Sequence, residues 1–140
     1  MAMSFKYKTV KRPDGTTVKT PSIPVLFKGN KDTVEVVALI DSGADISAMP
    51  QAIAEILGLD LGGKITPAFG IGGKVDSVEA KLTTIVEKGH EHYTFQIPIK
   101  IILGDYDLPI LLGRAGFFDK FVISFDQSME KVSLKRIIRK

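Results

Sequence analysis

Several residue types that carry well-known chemistry are missing or scarce in this sequence. Cysteine is absent, which excludes disulfide bonds, thiolate catalysis and cysteine-ligated zinc or iron–sulfur sites. No apolar stretch approaches the roughly 20 residues that cross a bilayer, so we expect no membrane partner. Charge of one sign does not dominate either, because 19 basic and 16 acidic residues leave a net charge of +3. That balance alone does not indicate nucleic-acid binding.

Histidine is also scarce, since the chain has only His90 and His92. In an extended segment both rings would lie on one face, as two ligands of a metal ion do, but a third ligand would have to be a carboxylate. We interpret residues 90–92 as an exposed hairpin turn. The glycine-rich segments 58–65 and 70–73 do not fit a nucleotide-binding loop either, so we expect no metal and no organic cofactor.

The remaining composition is that of an ordinary globular protein. The chain has 140 residues, of which 44% are hydrophobic and 25% charged, as in a folded domain with its own core. We expect a single domain spanning residues 1–140. Met1–Val10 contains lysines but no apolar segment of the secretory type, so we expect a cytoplasmic location.

Positive charge is concentrated towards the two ends of the chain. Lysines in strand-like segments commonly protect the exposed edges of sheets from pairing with other chains. We therefore interpret both clusters as solvated edge strands, with a patch for nucleic acid or an acidic partner as the alternative. The residues are Lys6, Lys8, Lys11, Arg12, Lys135, Arg136, Arg139 and Lys140.

Most of the chain consists of short alternating or apolar segments separated by turn residues, which is typical of an all-β protein. We predict hairpins over Phe5–Lys19, Ile23–Ile40, Val75–Leu103 and Phe121–Ile137. In the last three, the paired strands are Ile23–Phe27 with Thr33–Ile40, Val75–Val86 with Tyr93–Leu103, and Phe121–Phe125 with Lys131–Ile137.

Two segments break this pattern and predict short helices. Residues 50–58 begin with Pro50 and end with Gly58, which are typical start and stop signals, and place Ile53, Ile56 and Leu57 on one face. The second candidate is Arg114–Phe121, whose three phenylalanines could form an apolar face. The predicted fold class is therefore mainly β, with one or two short helices.

The segment Ala38–Asp45 is the first candidate for chemistry. An apolar strand runs directly into Asp41, followed by Ser42, Gly43, Ala44 and Asp45. The glycine permits a tight turn whose backbone amides can point at the Asp41 carboxylate. The same pattern also occurs in ordinary turns at strand ends, so this segment alone leaves a structural role open.

Two further segments add to this candidate. Residues 68–75 place Gly70, Gly72 and Gly73 around Ile71, which predicts a mobile hairpin tip whose backbone can approach a ligand. Residues 109–114 form an apolar strand that ends in Leu112, Gly113 and Arg114. We expect Arg114 to pair with the carboxylate of Asp45.

Together and in this order, the three segments resemble the retropepsin-like aspartic proteases. They are similar to the family's catalytic Asp-Thr/Ser-Gly-Ala segment, its flap tip and its hydrophobic-hydrophobic-Gly-Arg segment. The resemblance covers roughly Ile23 to Leu134 and implies a closed acid-protease β-barrel like a single pepsin lobe. The implied activity is that of an aspartic endopeptidase acting on extended peptides or unfolded proteins.

The chemistry of this family needs two aspartates that share a proton, because two such close carboxylates cannot both ionise. This chain has one Asp-Ser-Gly segment, so the resemblance implies a homodimer in which Asp41 of each subunit meets at the twofold axis. It further implies that Ser42 braces the aspartate pair, that Gly43 and Asp45 contact the substrate backbone, and that Ile71 closes over the peptide.

The sequence departs from the compact retroviral enzymes in two places. Helix Gln51–Leu57 and the hairpin Phe121–Leu134 resemble cellular and bacterial members and pepsin lobes instead, and the hairpin Phe5–Lys19 has no clear retroviral counterpart. Two alternatives remain: a non-catalytic dimerisation or peptide-binding module of the same fold, and a basic β protein that binds nucleic acid. No aromatic stacking motif supports the second.

Overall fold

The computed structural model describes residues 2–70 and 73–138, and in this part of the chain it is mainly β. One α-helix, α1, spans Gln51–Leu57, and a 3-10 turn spans Phe118–Lys120. The strands in chain order are β1 (Ala2–Lys6), β2 (Lys8–Lys11), β3 (Thr17–Thr20), β4 (Ser22–Lys28), β5 (Thr33–Ile40), β6 (Ser47–Pro50), β7 (Ile65–Gly70), β8 (Gly73–Lys88), β9 (Glu91–Ile102), β10 (Ile110–Leu112), β11 (Phe121–Asp126) and β12 (Lys131–Arg136).

Seven strands form the main sheet, in the order β4-β5-β10-β6-β9-β8-β7. An additional antiparallel pairing of β4 with β8 closes this sheet on itself. Two neighbouring pairs, β5 with β10 and β6 with β9, are parallel. These parallel pairs place the carboxyl ends of strands from distant parts of the chain next to one another.

The long β8–β9 hairpin follows the expected alternation of buried and exposed residues. Leu82, Val86, Ile97, Ile99 and Ile101 are each at most 1% exposed, because alternate side chains of a strand point to the same face. They pack in a core with apolar side chains from most other elements. Its largest fully buried members are Phe27, Phe117, Met3, Ile23, Met49, Leu57, Leu82, Ile97, Ile99, Ile101, Leu112 and Leu134.

A separate three-stranded sheet has the order β1-β12-β11. The interpretation of both chain ends as edge strands is therefore half wrong: β1 is an edge, but β12 is the central strand. Val132 and Leu134 explain this position, because both are fully buried and so fix β12 against the core.

The N-terminal hairpin also differs from the prediction. The predicted hairpin Phe5–Lys19 begins only after Tyr7, because the chain divides there between β1 and β2. Tyr7 is buried and donates its backbone N–H to the Glu130 carbonyl. Before Tyr7 the chain pairs with β12, and after it β2 pairs with β3 around the turn at Gly15.

Helix α1 begins and ends where the sequence predicts. Pro50 is extended with φ −71°, and Gly58 is left-handed with φ +74°. The N–H groups of Gly58 and Leu59 return to the carbonyls of Glu55 and Ala54, which is the paired closure typical of a glycine helix end.

The predicted buried face of α1 is wrong at one position, because Ile56 is 52% exposed. Ala54 and Leu57, three residues apart, are the fully buried pair instead. The segment Arg114–Phe121 forms turns and the short 3-10 helix rather than an α-helix. In the described part of the chain, no helix has the length and hydropathy that crossing a bilayer requires.

Candidate active site

Strands β5 and β10 are parallel neighbours whose carboxyl ends lie side by side, with Leu112 opposite Ile40. The last three residues of β5, Ala38–Ile40, and the three of β10, Ile110–Leu112, are apolar and buried or half-buried, which fixes the two strand ends against the core. The loop after β5 contains Asp41–Asp45, and the loop after β10 contains Gly113 and Arg114. The fold therefore brings together two of the three segments that the sequence indicated, although they are about 70 residues apart in the chain.

Backbone hydrogen bonds join these two loops. The N–H of Arg114 donates to the Ala44 carbonyl at 2.9 Å, and the N–H of Ala115 donates to the Asp45 carbonyl at 2.8 Å. At the start of the loop, the N–H of Asp41 donates to the Leu112 carbonyl at 3.0 Å. The loop that carries Asp41 is thus held by main-chain contacts on a rigid support.

Gly113 is the point of closest approach between the loops. Its N–H donates to the buried Ser47 Oγ at 2.9 Å. A Cβ atom added to Gly113 would lie 2.6 Å from the Ile46 carbonyl carbon and 2.9 Å from the Ala44 carbonyl oxygen. Because both neighbours are backbone atoms, only glycine fits there without moving the loop that contains Asp41.

The Asp41 side chain is half-buried at the end of β5. Its Oδ1 accepts the N–H of Gly43 at 2.9 Å, and its carbonyl accepts the N–H of Ala44 at 3.2 Å. The prediction that the glycine turn points an amide at this carboxylate is confirmed. The hydrogen bond fixes one carboxylate oxygen of Asp41 and so sets the orientation of the group.

The predicted ion pair between Arg114 and Asp45 does not form in the structure. The guanidinium of Arg114 instead donates to the Ser42 carbonyl at 2.7 Å, and Asp45 Oδ1 accepts the N–H of Ile46 at 2.9 Å. The backbone bonds between the loops explain this difference, since they place the Ser42 carbonyl within reach of the arginine. The Arg114 side chain therefore supports the turn beside Asp41 by binding the main-chain carbonyl of Ser42.

An open cleft of about 440 Å³ lies beside this junction and is lined mainly by apolar side chains. Gly43, Ala44 and Asp45 form one wall, and the ends of β7 and β8 form another. Phe69 in that second wall is 78% exposed, which is unusual for a phenylalanine. The lining residues are Gly43, Ala44, Asp45, Ile46, Ala48, Met49, Ala68, Phe69, Gly70, Gly73, Val75, Lys100, Ile102, Tyr106, Leu108, Pro109 and Leu111.

Strands β7 and β8 form the hairpin that the sequence predicts at the glycine-rich segment 68–75. Gly70 ends β7, Gly73 begins β8, and the two are partners in the ladder. Gly73 has φ +109°, a conformation that glycine adopts readily. Both residues line the cleft. Ile71 and Gly72, the other two predicted residues of this tip, lie outside the described residues.

Three residues of this region were missed by sequence reasoning. Ser47 is fully buried and holds Gly113, while Lys100 and Tyr106 line the cleft. Their positions depend on long-range pairings, for example Ala48 with Lys100 in the β6–β9 ladder, and no local motif in the sequence signals them.

The histidine segment behaves as an ordinary hairpin end. His92 Nδ1 lies 2.8 Å from Glu87 Oε2 across the β8–β9 turn. Within residues 2–70 and 73–138, no group of three or more potential ligand side chains could hold a metal ion.

The chain was compared with known proteins at the level of sequence and of structure. Neither a protein-family model nor a curated protein matches the sequence. A solved structure of a retropepsin-like aspartic protease from Rickettsia conorii is similar, with a TM-score of 0.61 and 20% identity, over 96% of this chain and 91% of that chain. EIAV protease complexed with the inhibitor HBY-793 has a TM-score of 0.46 and 27% identity, over 69% and 83% of the two chains. The similarity to the Rickettsia structure establishes that this chain has a retropepsin-like fold.

Proposed function

We propose that the protein is an aspartic endopeptidase that is active as a homodimer, with one Asp41 from each subunit. The observation that carries the proposal is the junction of the two loops. The carboxylate of the half-buried Asp41 is fixed by the Gly43 amide, Gly113 packs against the same loop at Ala44 and Ile46, and the next residues of that loop, Gly43–Asp45, line an open apolar cleft. The proposal places this activity in one domain over residues 1–140.

The proposed reaction uses the two Asp41 carboxyls as a pair that shares one proton. The ionised carboxyl takes a proton from a water molecule, whose oxygen attacks the peptide carbonyl carbon. The protonated carboxyl donates its proton to the carbonyl oxygen, so that a neutral tetrahedral diol forms. When the C–N bond breaks, the carboxyl that took the water proton gives it to the leaving nitrogen, and the other carboxylate takes a proton from one hydroxyl of the diol. A carboxylic acid and an amine are released, and the pair again shares one proton. Both carboxyls are needed, which is why a lone subunit should be inactive.

The cleft supports an extended peptide as the substrate class. It is open, apolar and bordered by backbone at Gly43, Gly70 and Gly73, where an extended chain can form strand-like hydrogen bonds. In this proposal Ser42 and Arg114 stabilise the catalytic turn, Ala44 and Asp45 line the substrate path, and Ile71 closes over the peptide. Leu112 anchors the turn to the core.

Cleavage of an unfolded-peptide mixture across about pH 3 to 8, where carboxyl pairs titrate, tests this function. We expect mass spectrometry to identify internal cleavage products whose amount per subunit falls on dilution, because dimers dissociate. Peptide binding with no cleavage at any pH would favour the non-catalytic module of the same fold.

One charged side chain on the cleft floor predicts a substrate preference. Leu111, Ala48 and Lys100 are successive ladder partners across β10, β6 and β9, so their side chains share one face. Lys100 is half-buried, and the structure records no ion pair for it among the described residues. Its partner in the β8–β9 ladder is the exposed Glu79, but no ion pair within 4 Å joins the two side chains. In this proposal a substrate carboxylate competes with Glu79 for the Lys100 ammonium group.

We expect Lys100→Glu to reverse the preference between peptides with an acidic and a basic side chain at one position near the cleaved bond. The ratio of their kcat/KM values should change by about tenfold or more, since a partly buried charge pair is worth more than about 1.4 kcal/mol. Lys100→Gln should give an intermediate ratio. If all three proteins have the same ratio, Lys100 does not contact substrate.

A further inference from the structure

Strand β11 is an edge of the three-stranded sheet β1-β12-β11. It pairs with β12 through six consecutive residue pairs, from Phe121 with Arg136 to Asp126 with Lys131, and the described residues include no strand on its other side. The backbone N–H and C=O groups on that side therefore point away from the sheet. Such groups can form hydrogen bonds with another extended strand.

The β11 edge lacks the features that normally prevent such pairing. Edge strands are commonly protected by lysine, proline or a bulge. The other edge, β1, ends in Lys6, whereas Phe121–Phe125 contains no charged residue and no proline. The β11–β12 register is continuous, so no bulge interrupts it. Val122 and Phe125 are also 55% and 44% exposed. An exposed apolar edge of this kind favours association with another strand.

The sequence around β11 is complementary to itself. When two copies of the strand pair antiparallel about a twofold axis at Ile123, Lys120 lies opposite Asp126 of the partner subunit, and opposite charges at facing positions stabilise paired strands. The facing positions are 120 and 126, 121 and 125, 122 and 124, and 123 with itself. An axis at Ser124 would instead place Asp126 opposite Val122 of the partner subunit, without a charge partner.

The charged groups at the two ends of this segment can take part in that pairing. Neither Lys120 nor Asp126 forms an ion pair with a described residue. Asp126 Oδ1 accepts hydrogen bonds from Ser128 and Met129, and Asp126 faces Lys131 in its own hairpin. In the paired edges, the Asp126 carboxylate would thus lie between Lys131 and Lys120 of the partner subunit. These charges favour a second copy of the chain over an uncharged extended peptide.

A short segment connects the β11 edge to the candidate active site. Residues 115–120 join Arg114 to β11, and the N–H of Phe118 donates to the Gly113 carbonyl at 3.4 Å. In the core, the ring centres of Phe117 and Phe121 are 5.4 Å apart. The start of β11 is therefore fixed to the loop that packs against the Asp41 turn.

We propose that the β11 edge pairs antiparallel with the β11 edge of a second copy of this chain, with the twofold axis at Ile123. The two three-stranded sheets then form one continuous sheet across both subunits. This proposal rests on the homodimer of the proposed function and identifies the surface through which its subunits meet. The uncharged centre of β11 provides the backbone pairing, and the charged ends set its register.

Cysteine cross-linking tests the pairing directly, because the chain has no cysteine of its own. Val122→Cys protein is mixed with Ser124→Cys protein and oxidised mildly. Both sites are exposed, and facing residues of paired strands lie close enough for a disulfide bond. We expect the mixture to form covalent dimers faster than either variant alone. The control mixture of Val122→Cys with Ser4→Cys, an exposed site on the opposite edge β1, should form few.

Charge reversal tests the register of the two strands, with dimerisation measured by sedimentation. Lys120→Asp or Asp126→Lys alone should weaken dimerisation about tenfold or more, since each replaces two attractive pairs per dimer by two repulsive ones. The double variant Lys120→Asp/Asp126→Lys has opposite charges at both ends again, and should dimerise nearly as wild type does. Thermal unfolding of each variant shows whether its fold is intact.

The proposal is wrong if wild-type protein stays monomeric at every concentration, if Val122→Cys alone cross-links fastest, or if the double charge variant dimerises as weakly as the single ones. A wild-type dimer whose Val122→Cys and Ser124→Cys mixture does not cross-link would also place the interface elsewhere, and would leave the peptidase proposal intact. Cross-linking at these positions, with no peptide cleavage by the wild-type dimer, would support the β11 interface and contradict the proposed function.

Discussion

Replacing Asp41 by asparagine is expected to lower kcat for peptide cleavage by at least about 10³-fold. The change removes the general base and the general acid of the proposed pair together, and each role typically contributes about 10²- to 10⁴-fold. Asparagine has nearly the same shape and keeps an oxygen that can accept the Gly43 N–H, which Asp41 accepts at 2.9 Å. The fold should therefore survive, and the loss should lie in the chemistry.

The chain offers a matched control for this substitution. Asp60 is exposed, and its Oδ1 accepts the N–H of Gly62 at 2.8 Å, so the turn has the same Asp-x-Gly hydrogen bond as the turn at Asp41. Asp60→Asn should keep wild-type activity, and both variants should unfold at nearly the wild-type temperature. Equal cleavage by the two variants would mean that Asp41 is not the catalytic group.

Replacing Gly113 by alanine is expected to lower the free energy of unfolding by about 1–3 kcal/mol or more, the usual effect of overpacking a close contact. The added Cβ would lie 2.6 Å from the carbonyl carbon of Ile46. Neither side can easily yield, because Gly113 is held by the buried Ser47 and the Ile46 backbone follows directly on the Asp41 turn. We also expect peptidase activity to fall, since relief of the clash displaces that turn.

Gly70→Ala is the control for Gly113→Ala. No described atom lies within 4 Å of a Cβ atom added at Gly70, so chemical denaturation should give a free energy of unfolding close to that of wild type. If Gly113→Ala were as stable and active as wild type, the two loops could separate without consequence. That result would contradict a role for their junction in holding Asp41.

Local sequence signals were sufficient to predict the elements whose hydrogen-bonding partners and capping residues lie close together in the sequence. The β4–β5 and β8–β9 hairpins and both ends of α1 follow from alternation, turn residues and the Pro50 and Gly58 signals. The turn at Asp41 also follows, because its Gly43 amide is only two residues away. In each case the partner groups lie within one short segment.

The other elements depend on pairings between distant segments. Strand β6 has only four residues, and its hydrogen-bond partners are β9 and β10, about 50 to 60 residues further along the chain. Strand β12 resembles an exposed strand by its lysines, yet it is central because Val132 and Leu134 meet the core. Composition near a strand does not reveal which neighbours it will have.

In the candidate site, too, local features could be predicted from the sequence and long-range contacts could not. The residue types at positions 41–45 and 112–114 indicated where chemistry could lie, but not which atoms would meet. The expected pair of Arg114 with Asp45 was reasonable from charge alone. The fold instead places the Ser42 carbonyl 2.7 Å from that arginine, a contact that no charge pattern predicts.

The central claim is that two subunits each supply one Asp41 to a shared catalytic pair, and a subunit-mixing experiment tests it most directly. Wild-type protein is mixed with an equal amount of Asp41→Asn protein at constant total concentration, the subunits are allowed to exchange, and initial cleavage rates are measured. Random pairing leaves about one quarter of the dimers with both aspartates, so we predict about one quarter of the undiluted wild-type rate. A rate of about one half would mean that each subunit works alone, and would contradict the shared pair.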